Sequence, residues 1–219
     1  MPRFAANLTM MFNEVPFLDR FEAAAKAGFT AVEFLFPYEH PPEAVGQRLR
    51  NNGLTQALFN LPPGDWNAGE KGFAALPDRF ADLQQSLRTA LPYAQATDVK
   101  RLHLMAGIAD RGDPKAVAAF RKSVVWTAEF FAPHGLDVVI EPINPRNVPG
   151  YFLNDFAFAR DLINELKIPN LKLQELNYPF LFDELDRLGY SGFVGCEYNP
   201  RGKTTDGLAW FKPYAGAKP

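Results

Sequence analysis

Two glutamates, Glu141 and Glu197, each close a short apolar run that turns polar and proline-marked directly afterwards. The two segments read DVVIEPINPR at 137–146 and GFVGCEYNPR at 192–201. Runs of this kind are typical of strands that are buried on both faces of a parallel sheet. A carboxylate at the end of such a strand costs free energy unless it is paired, metal-bound or used in a reaction. We therefore expect Glu141 and Glu197 to be catalytic carboxylates that share one reaction at the C-terminal mouth of a parallel β/α barrel.

These two side chains also have a purely structural interpretation. Glu141 is followed by Arg146 and Glu197 by Arg201, so each carboxylate could instead be half of an ion pair at a strand end. Arg146 in turn either grips a substrate carboxylate through its two-pronged guanidinium group or is a solvated loop charge.

Three further residues are candidates for contacting a substrate. His103 lies in LHLMAG, where it either faces the barrel mouth or packs in the core, as a lone histidine among apolar neighbours often does. Asn60 ends an apolar run, and Trp66 lies in the long loop LPPGDWNAGEKG that follows it. Loops of this length are usually functional. Both residues are therefore candidates to line or cover a site, unless the tryptophan only pins the loop to the body.

Composition excludes several classes of protein. With 219 residues, 47% of them hydrophobic, the chain can bury a full core. The 23 basic and 25 acidic residues give a net charge of -2, which favours neither nucleic acid nor an anionic membrane as a partner. Cys196 is the only cysteine, so a disulfide framework is excluded and a reducing compartment, the cytoplasm, is expected. No apolar run approaches the roughly 20 residues of a membrane span, and no secretory signal is expected.

Short apolar runs alternate with longer amphipathic ones, which is the pattern of repeated βα units. Strands are predicted at 4–10, 30–36, 54–60, 100–107, 137–142, 170–174 and 192–198, and helices at 15–29, 41–53, 76–96, 113–135, 155–168 and 175–192. The helix after 113 should begin with Asp113 as its N-cap, and the next with Asn154 or Asp155. We expect one TIM-like β/α barrel domain spanning 1–219. It has seven strands where a closed barrel has eight, and it is shorter than the roughly 250 residues typical of the fold.

Five segments resemble, in order along the chain, the hydroxypyruvate isomerase family. They are LFNLPPGDWNAGEKG, LHLMAG, VVIEPINPRNVPGYFL, NLKLQ and GFVGCEYNPRG. This family includes 2-oxo-tetronate isomerases and belongs to the xylose-isomerase-like TIM barrels. The resemblance implies an aldose–ketose isomerase of small hydroxy-carbonyl acids, with Glu141 and Glu197 as its proton donor and acceptor.

The chemistry implied by the resemblance explains why two carboxyl groups are useful. Moving a carbonyl by one carbon requires removing a proton beside it and returning one to the neighbouring carbon, through an enediol. One glutamate takes the proton and the other returns it. A divalent cation, Mg²⁺ or Mn²⁺, held weakly by Glu141 and Glu197, would stabilise the developing enediolate.

One departure from the family lies between Gln174 and Glu175. In relatives, the strand that resembles NLKLQ runs on into an aspartate and a histidine, and a further helix and strand follow. Here Gln174 is joined directly to Glu175, so a block of about one βα unit is missing, together with several metal and substrate ligands.

Two other functions are compatible with the sequence. The barrel class includes metal-dependent DNA-repair nucleases, but these gather several histidines, and His40, His103 and His134 fall in three different units. Alternatively, the missing unit leaves an inactive remnant or an interaction protein. Because it would expose strand edges and core, we expect a homo-oligomer, with domain swapping as one way to cover them.

Overall fold

The computed structural model describes residues 3–174, 189–190 and 192–215. Seven strands lie within these residues: β1 (Arg3–Asn7), β2 (Ala31–Phe34), β3 (Thr55–Asn60), β4 (Arg101–His103), β5 (Asp137–Ile140), β6 (Leu171–Leu173) and β7 (Phe193–Cys196). The chain divides into two compact units. Unit 1 comprises Met1–Phe59, Tyr93–Val99 and Leu176–Pro219, and unit 2 comprises Asn60–Pro92 and Lys100–Glu175.

Five α-helices follow the predicted rhythm. They are α1 (Arg20–Lys26), α2 (Pro42–Asn51), α3 (Phe80–Thr97), α4 (Pro114–Phe131) and α5 (Phe156–Leu166). Two predicted N-caps are confirmed, because Asp113 accepts a hydrogen bond from the Lys115 N–H and Asp155 accepts one from the Phe158 N–H. Short 3-10 helices cover Phe17–Asp19, Pro77–Arg79, Ala132–His134 and Thr204–Tyr214. The predicted helix at 175–192 lies almost wholly outside the described residues. No helix of the described part is long and apolar enough to cross a membrane.

Unit 1 is built on parallel strands in the order β3-β2-β1-β7. The strands are apolar on both faces, and residues such as Ala5, Ala31 and Val32 are completely buried. This burial explains why their sequences lack the polar alternation of a one-sided sheet. Two aromatic side chains, Phe21 of α1 and Phe34 of β2, pack edge to face with their ring centroids 5.9 Å apart.

Unit 2 repeats the plan with parallel strands in the order β4-β5-β6. Helix α4 packs on β5 and buries Phe120 and Phe131. The ring of Phe120 lies 5.0 Å from that of Phe152, in the loop between β5 and α5. The parallel pairing in both units is the pairing that a β/α barrel requires.

The strands end earlier than the sequence predicts, and β1 shows why. A strand was expected over 4–10, but β1 stops at Asn7. The Asn7 side chain accepts a hydrogen bond from the Thr9 N–H at 3.0 Å, so the chain turns instead of continuing the ladder. The Thr9 hydroxyl then accepts the N–H of Leu35 at 2.8 Å, directly after β2. Polar residues at the strand ends therefore shape the loops that follow.

The C-terminal 3-10 segment of unit 1 was not predicted, and Thr204 attaches it to the loop after β1. The Thr204 hydroxyl accepts the Phe12 N–H at 2.6 Å and donates to Glu14 Oε2 at 3.3 Å. The Thr204 N–H also donates to the Glu14 carboxylate. Further along the segment, Phe211 stacks on Phe29 with a centroid distance of 4.0 Å.

We predict that Thr204→Val lowers the free energy of unfolding by about 1–3 kcal/mol, because it leaves the Phe12 N–H buried without its acceptor. Urea unfolding followed by circular dichroism measures the change. The matched control is Thr205→Val, since Thr205 is exposed beside it. Equal stabilities of the two variants would show that Thr204 does not hold this segment.

Candidate active site

The C-terminal ends of the strands in unit 1 carry three polar side chains. Asn7 is the last residue of β1, Glu33 lies in β2 opposite Asn7 in the strand register, and Glu197 follows β7 directly. Asn7 and Glu33 are 1% and 5% exposed. Parallel strands end at the same edge of a sheet, so the fold itself brings these groups together.

Asn7 holds the two carboxyl groups with one amide. Its Nδ2 donates to Glu33 Oε1 at 3.1 Å and to Glu197 Oε1 at 3.3 Å. The other end of the amide, Oδ1, accepts the Thr9 N–H. Flipping the amide would turn its oxygen toward both carboxyl groups and its NH₂ group toward the Thr9 N–H, and both arrangements are unfavourable. The orientation of Asn7 is therefore fixed by its surroundings.

Burial raises the pKa of Glu197 above its ordinary value of 4.5, and its hydrogen bonds with Glu33 and Asn7 only partly offset this. Two carboxylates cannot hydrogen-bond to each other unless one carries a proton. We infer that Glu33 and Glu197 share one proton. Burial and the charges of these two glutamates also raise the pKa of the Cys196 thiol, which excludes a thiolate role for it at neutral pH.

Close packing around Glu33 explains a glycine in β7. A Cβ atom on Gly195 would lie 2.6 Å from both carboxylate oxygens of Glu33. Any side chain at this position would push the buried carboxyl group away from Asn7 and Glu197.

Unit 1 also contains a cavity of about 310 Å³, which is not lined by Asn7, Glu33 or Glu197. It is lined by the loops that follow β1 and β7, through Met10, Asn13, Glu14, Asn199, Pro200, Gly202 and Thr204. A cavity of this size is sufficient for a small molecule.

In unit 2, His103 ends β4 and Glu141 directly follows β5. The two residues are 2% and 7% exposed, with His103 Nδ1 3.9 Å from Glu141 Oε2. This contact is too long for a hydrogen bond. It is not an ion pair either, because burial lowers the pKa of His103 to about 4 and leaves the ring neutral. Nε2 of His103 has no hydrogen-bond partner among the described residues.

Two neighbours complete the polar group of unit 2. The buried hydroxyl oxygen of Tyr151 accepts the Ala106 N–H at 2.8 Å. Burial raises the pKa of Tyr151, and the charge of Glu141 raises it further. Asn60, at the end of β3, places its Nδ2 3.8 Å from Met105 Sδ. Asn60 and His103 are thus buried strand-end groups, as a site at the barrel mouth requires.

Two predicted contacts lie nearer the surface. Arg146 is exposed, and its backbone N–H donates to Asn144 Oδ1 at 2.8 Å. Trp66 is 38% exposed, with the Lys71 ammonium 3.4 Å from its ring centroid. The aromatic ring is therefore held within its own loop.

The family model described as Xylose isomerase-like TIM barrel matches residues 21–174. This chain belongs to that family. A 2-oxo-tetronate isomerase from Cupriavidus necator is 45% identical over 259 aligned positions, covering 99% of this chain and 100% of the relative. Hydroxypyruvate isomerase from Escherichia coli is 33% identical, with 98% and 100% covered. The crystal structure of an AP endonuclease, family 2, from Brucella melitensis has a TM-score of 0.93 at 43% identity, covering 98% of this chain and 100% of that chain.

These relationships confirm both the predicted family and the TIM-like barrel class. They also show that the chain is an enzyme, because the relatives that it matches over their whole length are named isomerases. The alignment with the Cupriavidus relative has 259 positions, whereas this chain has 219 residues, so the relative has at least 40 residues without a counterpart here. A missing block of about one βα unit agrees with this difference. Its position between Gln174 and Glu175 stays a prediction, as does the single 1–219 domain.

Carboxylate oxygens, the donors of Glu141 and Glu197, are the ligands that Mg²⁺ and Mn²⁺ prefer. Within 3–174, 189–190 and 192–215, however, no three His, Cys, Asp or Glu side chains form a metal-binding group. A weakly held cation that takes its other ligands from water and substrate stays a prediction.

Sequence reasoning missed Asn7, Glu33 and Tyr151. The signal for the first two was present, since each is a single polar residue inside an apolar strand run, in FAANLTM and TAVEFLF. In a family with its site at the strand ends, every such residue is a candidate. Tyr151 follows the conspicuous INPRNVPG segment and had no comparable signal.

Because His103 has a pKa of about 4 in the fold and an ordinary value of 6.5, the unfolded chain binds its proton first as the pH falls. Its contribution to stability is therefore complete above pH 6.5 and is lost as the pH falls to about 4. In the wild-type chain, this shift makes the free energy of unfolding fall by roughly 3 kcal/mol between pH 7 and 4. We predict that His103→Gln abolishes this part of the fall, as measured by urea unfolding across the same pH range. His134→Gln, at an exposed position, is the control. An unchanged pH profile in the His103 variant would contradict a buried neutral imidazole.

Proposed function

We propose that this chain is an isomerase of small hydroxy-keto acids, of the hydroxypyruvate or 2-oxo-tetronate type. The names of its relatives, 33% to 45% identical over almost the whole chain, support this class of substrate. The main observation behind this proposal is that one glutamate directly follows β5 and another directly follows β7. Each of them lies beside buried polar side chains.

In the proposed reaction, Glu141 and Glu197 move the protons. The Glu141 carboxylate removes a proton from the hydroxyl-bearing carbon beside the carbonyl, which gives an enediolate, and the proton of that hydroxyl moves to the former carbonyl oxygen. Glu197 returns a proton to the former carbonyl carbon, and the raised pKa of this side chain favours the acid form that donation requires. Glu33 holds Glu197 through their shared proton. In the reverse direction, the two glutamates exchange roles.

The remaining proposed contacts orient the substrate. Nε2 of neutral His103 can accept a hydrogen bond from a substrate hydroxyl, and the Asn60 amide can donate to an oxygen. Trp66 and Arg146 are proposed outer contacts, near the surface of unit 2. If Mg²⁺ or Mn²⁺ is bound, Glu141 and Glu197 would hold it, and it would polarise the carbonyl oxygen.

We further propose a cytoplasmic homo-oligomer. The single cysteine supports a reducing compartment. The block of at least 40 residues that the chain lacks relative to the Cupriavidus isomerase supports a second copy that covers exposed core, with domain swapping as one means.

A second candidate is cleavage of damaged DNA, which the likeness to the Brucella protein named AP endonuclease favours. Nucleases of this kind rely on clustered metal ligands, and the described residues contain no group of three. An inactive remnant of the family is the third candidate, favoured by the shortened chain. Both candidates predict no isomerase activity.

We predict that Glu141→Gln and Glu197→Gln each lower kcat for hydroxypyruvate or 2-oxo-tetronate by about 10²- to 10⁴-fold, the usual contribution of a positioned acid or base. The amide keeps the size of the carboxyl group but cannot transfer the proton. Turnover is measured with and without added Mg²⁺ or Mn²⁺. Glu129→Gln, at an exposed position of α4, should retain full activity.

The same assays separate the candidates. A folded wild-type chain that turns over neither acid at any metal concentration would contradict the isomerase proposal. Calorimetric titration with Mn²⁺ gives a readout of metal binding that is independent of activity. Cleavage of a duplex containing an abasic site, lost in the same variants, would support the nuclease instead.

A further inference from the structure

The loop after β3 in unit 2 is built around its own charges. Asp65 Oδ1 accepts the N–H groups of Asn67 and Ala68, both at 3.0 Å. Glu70 Oε2 accepts the Asp65 N–H at 2.6 Å, and Glu70 Oε1 pairs with Arg79 Nη1 at 2.6 Å. The acidic groups are therefore committed to shaping the loop, which is ordered before any ligand arrives.

Lys71 is the cation of this loop that has no carboxylate partner among the described residues. Its Nζ donates to the Trp66 carbonyl oxygen at 3.2 Å and lies 3.4 Å from the Trp66 ring centroid. An ammonium group has three N–H donors, so the carbonyl and the ring face leave one for a further acceptor. The side chain is half-buried. Its positive charge is thus held in place by contacts that do not neutralise it.

The backbone joins Lys71 to the polar group around Glu141. Its neighbour Gly72 forms a bridge with Ala106, and a Cβ atom on Gly72 would lie only 2.3 Å from the Met105 carbonyl oxygen. Ala106 donates its N–H to Tyr151, whose pKa responds to the charge of Glu141. Gly72 also has a φ of 109°, a conformation that favours glycine. The close approach of Gly72 to Met105 therefore fixes the backbone position of the adjacent residue, Lys71.

We propose that Lys71 binds the carboxylate of the substrate and that Trp66 positions its ammonium group. This inference rests on the proposed function, since a hydroxy-keto acid carries a carboxylate that neutral His103 cannot match. Trp66 is then a positioning residue, and Lys71 distinguishes hydroxy acids from neutral sugars.

Five arginines of unit 2 are less suited to this role. Four arginines already pair with carboxylates, namely Arg79, Arg111, Arg121 and Arg160. Arg146 is the competitor that the sequence itself suggests for gripping a substrate carboxylate, but its side chain is exposed. An exposed charge is screened by solvent and contributes less than a half-buried one.

The test compares an acid with its neutral counterpart. Hydroxypyruvate and dihydroxyacetone differ only by a carboxylate in place of a hydroxymethyl group. Calorimetry should show that Lys71→Met weakens hydroxypyruvate binding by about 10- to 100-fold and changes dihydroxyacetone binding by less than about twofold. Lys71→Arg should restore most of the affinity. In the turnover assay, the loss should fall on KM rather than on kcat.

Lys122→Met is the matched control, because the Lys122 ammonium also lies over an aromatic ring, 3.7 Å from the centroid of Phe80. Equal affinities of the Lys71 and Lys122 variants for hydroxypyruvate would overturn the proposal. So would a loss confined to Arg146→Met. A wild-type chain that binds the acid through Lys71 but does not isomerise it would refute only the proposed function. A wild-type chain that does not bind the acid would refute both.

Discussion

The cost of burying carboxyl groups at the ends of parallel strands shapes this protein more than any other constraint. In unit 1, Asn7 donates to both Glu33 and Glu197, and we infer that these two buried carboxyl groups share one proton. The same cluster requires a glycine at position 195 and keeps Cys196 as a thiol. In the proposed reaction, the carboxyl group kept protonated in this way is the proton donor. The hydrogen bonds that make its burial possible would then also prepare it for the chemistry.

Much of the fold could be predicted from the sequence because burial on both faces leaves long apolar strand signals, and because Asp113 and Asp155 mark helix starts. The strand ends were less predictable. The Asn7 side chain accepts the N–H of Thr9, so β1 ends early. This effect depends on side-chain geometry rather than on the hydrophobic pattern. The segment Thr204–Tyr214 was missed because a 3-10 helix has no 3.6-residue periodicity, and its attachment to Phe12 and Glu14 is long-range.

The candidate site was only partly predictable, for a related reason. Asn60 and His103 are the last residues of their strands, and Glu141 and Glu197 are the first residues beyond theirs, so pattern alone located them. Glu33 was not predicted, because its partner Glu197 lies 164 residues away along the chain, directly after β7. In the sequence, Lys71 is indistinguishable from an ordinary loop charge, and only the structure shows that its ammonium group lies over the Trp66 ring. Sequence patterns therefore locate groups along the chain, whereas charge pairing and desolvation become visible only in three dimensions.

The most direct test of the shared proton is a pH titration of ¹³C-labelled glutamate carboxyl groups by NMR, with Glu197→Gln and Glu33→Gln used to assign the signals. The shared proton predicts one carboxyl signal that titrates above the ordinary value of 4.5, disappears in Glu197→Gln and shifts in Glu33→Gln. A spectrum in which the Glu197 signal titrates at or below that value, and does not respond to Glu33→Gln, would contradict the shared proton on which the proposed reaction depends.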